Sequence, residues 1–180
     1  DYNRDQLDKW IKCISPYSNS ILGRSHINFL TREIQSKFGT SNKLTSLNVS
    51  NCIKGYFKLR NIFPASSESD KLDIFKFCSD VCIDHISKIP EINENFINAM
   101  LQNLDEKREK SDQFDSFHFK EAKSTRKVMA TLVACCEIGI HTILIGRTGL
   151  GKTAAAMAFS RMNKSSLKSS SPHIISFNGE

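Results

Sequence analysis

Residues 141–160 read HTILIGRTGLGKTAAAMAFS, and one stretch inside them constrains the chain more than any other. Gly146, Arg147, Thr148, Gly149, Leu150, Gly151, Lys152 and Thr153 fit the phosphate-binding pattern G-x-x-x-x-G-K-[ST] at every specified position. The apolar run 142–145 has the composition of a buried strand, the glycines make a turn, and KTAAAMAFSRM has that of a helix. In this strand–turn–helix context the glycines permit backbone angles closed to other residues. Backbone amides and the helix N-terminus then favour phosphate oxygens. Lys152 is expected to reach the terminal phosphates of ATP, and the Thr153 hydroxyl to ligate Mg²⁺, with Ala154 next in the first helical turn.

Hydrolysis asks for more. P-loop enzymes hold Mg²⁺ with a second acidic residue from another strand, yet after Thr153 the only acidic residue is Glu180. The segment therefore reads as the phosphate-binding half of a site, with no catalytic residue of its own and no turnover expected from it alone. The chain is expected to be a piece of a longer protein that supplies the rest.

Upstream, the pattern is helical. Leu7, Trp10, Ile11 and Ile14 share one helical face before Ser15-Pro16, and Ile27, Leu30, Ile34 and Phe38 repeat the spacing up to Gly39. A third helix carries Val49, Cys52, Ile53 and Phe57 and is weakened at Gly55. The longest is expected over 70–88, and another over ENFINAMLQNL. Cys78, Cys82 and His85 share a face of the 70–88 helix, but Phe75 and Ile86 share it too, and no second Cys/His cluster completes a ligand set. Core packing is the reading, with no metal there.

The run DEKREKSDQFDS, 105–116, mixes both charges and marks a boundary. Beyond it, FHFKEA is a short strand, STRKVMATLVACCEIG a helix with Ser124 as N-cap and Gly139 as stop, and HIISF, 173–177, a second strand. The expected fold class is thus a mainly α N-terminal lid, 1–112, followed by the start of an α/β P-loop core with an incomplete sheet, 113–180.

No apolar run is long enough for a membrane span. The net charge of +6 comes from scattered lysines, so direct nucleic-acid binding is not expected. Six cysteines without a C-x-x-C pair suit free thiols in the cytoplasm or nucleus.

NRDQLDKWIKCI resembles the opening of the helical lid in AAA+ modules of the midasin family, dynein-related ATPases of ribosome assembly. The stretch from FHFKEA through GRTGLGKTAA is similar to the start of that family's next module, and HIISFNGE to its second strand. Arg147 and Leu150 depart from the family's usual residues, both at unspecified positions. The resemblance implies an AAA+ ATPase whose hydrolysis remodels pre-60S ribosomal particles in the nucleolus and nucleoplasm. Its partners would be neighbouring AAA+ modules of the same chain, the pre-60S particle and assembly factors. Arg4 would lie where the lid arginine faces nucleotide, and His118, Lys120 and Lys123 would lie before the new module's first helix, a region near which the adenine often packs in such modules, with no base contact assigned to any one residue. Alternatives are a dynein-like or MoxR-like AAA+ protein, or a non-hydrolysing nucleotide-binding scaffold. A Walker B Asp-Glu pair downstream would favour an ATPase.

Overall fold

The computed structural model describes residues 4–15, 21–38, 46–64, 67–84, 89–106, 123–147 and 149–162. Among them the regular structure is helical throughout. In order the helices are α1 (Arg4–Ile14), α2 (Ile21–Phe38), α3 (Ser46–Ile62), α4 (Glu68–Ser79), α5 (Glu94–Glu106), α6 (Lys123–Ile138) and α7 (Lys152–Met162). A π-helical turn, Asp80–Asp84, extends α4.

The helices form where apolar residues recur on one side. On α1, Leu7 and Ile11 are fully buried, and on α2 so are Ile27 and Leu30. α3 lies at the centre, with Val49, Cys52, Ile53, Tyr56 and Leu59 all inaccessible to solvent. It touches α1, α4, α5 and α6. A helix surrounded in this way is apolar on most sides rather than along one stripe.

Helix ends are fixed locally. Ser67 caps α4: its hydroxyl accepts from the Asp70 amide at 3.0 Å, while the Asp70 carboxylate accepts from the Ser67 amide at 3.2 Å. Asn93 caps α5 through the Phe96 amide at 2.7 Å and also donates to Asp73 of α4, tying the two helices. At the end of α6, Gly139 takes φ +82°, Ile140 N donates to Cys135 O at 2.8 Å, and Gly139 N donates to Cys136 O at 3.1 Å. This pair of bonds is the Schellman arrangement, and it turns the chain out of the helix.

α6 completes the core from the C-terminal side of the charged run. Met129, Ala130, Val133, Ala134 and Cys135 are buried, and the helix packs along α5 and α3. Arg126 donates to Asn98, and Asn103 donates to Glu137 at 3.3 Å, along the α5 seam. α7 in turn rests on α6, with Ala155 and Ala158 buried.

The expected α/β core does not form among the described residues. Residues 142–146 follow α6 and precede α7 as foreseen, but no strand occurs among the described residues. Ile143 and Ile145 are each 83% exposed. An apolar run becomes a sheet strand only when neighbouring strands take its backbone groups, and those neighbours are not encoded in the run itself. Ser124 also differs from expectation: α6 starts at Lys123, so Ser124 lies inside the helix instead of capping it. The expected strands FHFKEA and HIISF, with His118 and Lys120, lie outside the described residues.

Candidate functional site

The segment from Gly139 to α7 carries the residues singled out in the sequence. After the Schellman turn, Ile140 and Leu144 pack against the core while His141, Ile143 and Ile145 face solvent. The Thr142 hydroxyl donates to Ile140 O at 3.5 Å. Gly146 and Arg147 are exposed, and Thr148 lies outside the described residues. Gly149 and Gly151 adopt φ of +84° and +71°, angles that need glycine, and a Cβ at either would meet only open space. Leu150 between them is 69% exposed.

Lys152 opens α7 and folds back over the loop. Its ammonium donates to Gly146 O and Arg147 O, both at 2.7 Å. Thr153 is exposed in the first turn and Ala154 is half-buried. The structure thus brings Lys152, Gly146 and Arg147 together and leaves the Thr153 hydroxyl open to solvent. The turn can present amides and an ammonium to a phosphate group, with Lys152 exchanging its two carbonyl partners for phosphate oxygens.

A second set of polar groups sits on the helical body, and sequence periodicity does not reveal it. His26 is 2% exposed, and its Nδ1 hydrogen-bonds the Tyr56 hydroxyl at 2.6 Å. Burial, with Arg60 and Lys71 nearby, lowers the His26 pKa to about 4, and Glu68 acts weakly the other way. Burial also raises the Tyr56 hydroxyl well above its ordinary range. Lys71, 8% exposed, donates to Glu68 at 2.7 Å and to Ser25 at 3.1 Å. Arg32 reaches Glu33 at 3.0 Å and Glu68 at 3.3 Å. The hydrogen bond from Lys71, joined by Arg32, holds Glu68 below the usual carboxylate range. The signal available in the sequence was the polar residue set into an apolar face, with Phe29 and Leu30 one turn on from His26.

The thiols occupy a third position. Cys78 is fully buried among Cys52, Cys82 and Cys135, and burial pushes its thiol well up. Cys82 is raised to about 11 by the same cause. Such groups stay neutral and behave as small apolar side chains. Among the described residues no group of three His, Cys, Asp or Glu is placed to hold a metal ion. His85, the third member of the sequence trio, lies outside the described residues, as do the side chains of Arg4 and Lys123.

Comparison with protein families bears on the helical body. A family model described as nucleoporin NUP120, helical domain, matches residues 5–108, which is 104 of the 180 residues (108 − 5 + 1). The chain belongs to this family. No curated protein and no solved structure matches it. The match runs from the first turn of α1 to just past α5, so the NUP120-type domain takes in α1–α5, while α6, which also packs on α3, lies beyond it.

This overturns the midasin resemblance and what followed from it. The short lid-like similarity at NRDQLDKWIKCI falls inside the NUP120-type domain, so these residues open a nucleoporin helical domain and not an AAA+ lid. The ATPase, the AAA+ modules as partners, and pre-60S remodelling fall with it, as do the dynein-like, MoxR-like and nucleotide-binding-scaffold alternatives. The physical reason is that apolar spacing on a single helix recurs in many helical proteins, so a few matching residues on one amphipathic helix do not separate one family from another. No helix among the described residues is long and apolar enough to cross a membrane.

Proposed function

We propose that this chain is a structural element of the nuclear pore, a helical scaffold segment that binds other nucleoporins within a larger complex. The observation that carries the reading is the match of residues 5–108 to the NUP120 helical domain. The packing supports it: α1–α6 share one apolar core, and a body of this kind serves by presenting rigid surfaces. Its polar groups at His26, Tyr56 and Lys71 are satisfied internally. The test is to express the tagged chain in cells, locate it by microscopy and identify what co-purifies. Recruitment to the nuclear rim with other nucleoporins is expected, and it should be lost in Leu30→Asp, which places a charge in the core. Exclusive recovery on pre-ribosomal particles would sink the reading.

The loop after α6 is a separate matter, and from its residues we propose only that it accepts a phosphate group. Gly149 and Gly151 shape the turn, Lys152 supplies the charge, and Thr153 would hold Mg²⁺. Isothermal titration with Mg²⁺-ATP and with inorganic phosphate as probes, on the full chain and on Lys152→Ala, checks this. No heat from either probe removes the phosphate reading and leaves the scaffold reading intact.

A further inference from the structure

We propose that residues 142–146 form an edge for strand addition, taking an acidic, extended segment of a partner protein. The inference goes beyond the scaffold reading and does not depend on which proteins the helices meet. Three features coincide there.

The first is the backbone. Among the described residues, the backbone groups of Ile143, Leu144 and Ile145 make no hydrogen bond. Side chains alternate, with Leu144 against the core and Ile143 and Ile145 outward, the period-two pattern of an extended chain. A row of unpaired N–H and C=O groups on such a chain is a template for another strand.

The second is the apolar face. Ile143 and Ile145 are both 83% exposed, and Leu150 beyond them is 69% exposed. Two β-branched residues at i and i+2 make the kind of surface that a facing strand covers.

The third is charge, and it selects the occupant. From Ile138 to Gly179 the sequence has no Asp or Glu, and it carries Arg147, Lys152, Arg161, Lys164 and Lys168. His141 and Arg147, both exposed, flank the isoleucines. A strand with an acidic residue opposite Arg147 therefore meets opposite charge there. A second copy brings the same Arg147 and Lys152 and no carboxylate from 138–179, so it leaves that positive charge uncompensated. The chain's own apolar run HIISF brings no acidic residue either.

The experiment uses the full chain, labelled for backbone amide exchange, and two short synthetic probes, one alternating Val with Glu and the other Val with Lys. The Glu peptide is expected to bind about tenfold or more tightly than the Lys peptide, with binding weakened by salt. It should slow exchange at alternate amides within 142–146. Ile143→Thr with Ile145→Thr should abolish binding, and Ile145→Pro should do so by removing a donor, with helical circular dichroism unchanged in both because these side chains face solvent. Equal binding of the two peptides, or none, overturns the proposal. So does protection of these amides in the chain alone: concentration-dependent protection would place a second copy on the edge, and concentration-independent protection would place residues 173–177 there. Binding of a single-stranded oligonucleotide in preference to the Glu peptide overturns it as well.

Discussion

Gly55 of α3 lies so close to Ile138, the last residue of α6, that a Cβ built on it would stand 3.2 Å from Ile138 Cγ2 and 3.4 Å from Cys78 Sγ. The glycine lets α6 settle onto the central helix. Alanine there gains about 1 kcal/mol of helix propensity, while crowding of a packed site costs about 1–3 kcal/mol. Ile138 is only half-buried and can move. Gly55→Ala is therefore expected to shift the urea midpoint little, and Gly55→Leu to lower it clearly and speed amide exchange in α6. Equal stability of the two variants would show that the contact does not set the helix position.

Val133 and Met129 bring α6 into the core. Met129→Ala removes a buried side chain and should destabilise the protein by about 2–5 kcal/mol. Truncation at residue 108, the end of the family match, exposes the surfaces of α3 and α5 that α6 covers. The shortened chain is expected to unfold at lower urea than the full one, and an unchanged midpoint would show that α6 is dispensable.

His26 gives stability a pH dependence of known sign. Its pKa falls from 6.5 to about 4 on folding, so the unfolded chain binds more protons between those values. The contribution is complete above pH 6.5 and is lost as pH falls towards 4, on the order of 3 kcal/mol at most. Arg60, Lys71, Glu68 and Tyr56 are the groups that face it. Urea midpoints measured at neutral pH and near pH 4.5 should diverge in the natural chain and converge in His26→Gln. Parallel curves would remove His26 as the cause.

Ser67 and Asp70 close the first turn of α4. Ser67→Ala should cost about 1 kcal/mol, read as a lowered melting temperature, whereas Ser69→Ala, the second residue inside the helix, should be near neutral.

Much of the helical body was legible. The apolar spacing of Leu7 and Ile11, of Ile27, Leu30 and Ile34, and of Val49, Cys52 and Ile53 places each of them correctly in the core. The capping box at Ser67 is written in the sequence as Ser-x-x-Asp, but it lies within a polar run whose other serines do not set it apart. The π-helical turn after Ser79 was not legible, because a one-residue widening of a helix leaves no mark in apolar periodicity. Nor was the outward face of Ile143 and Ile145. An apolar run specifies a side chain that can be buried, while burial itself depends on a partner surface supplied from elsewhere. The same limit explains the family assignment. An eight-residue motif with three glycines is conspicuous, whereas a helical domain spreads its identity over a hundred residues of ordinary amphipathic pattern.

The buried thiols give the domain a clock. Cys13 and Cys136 are exposed and meet an alkylating reagent at once, while Cys52, Cys78, Cys82 and Cys135 are sealed inside. Because these four come from α3, α4, its π-helical extension and α6, the slow phase of labelling counts how often the helices part, and mapping by digestion which of the four is labelled first tells which helix leaves first.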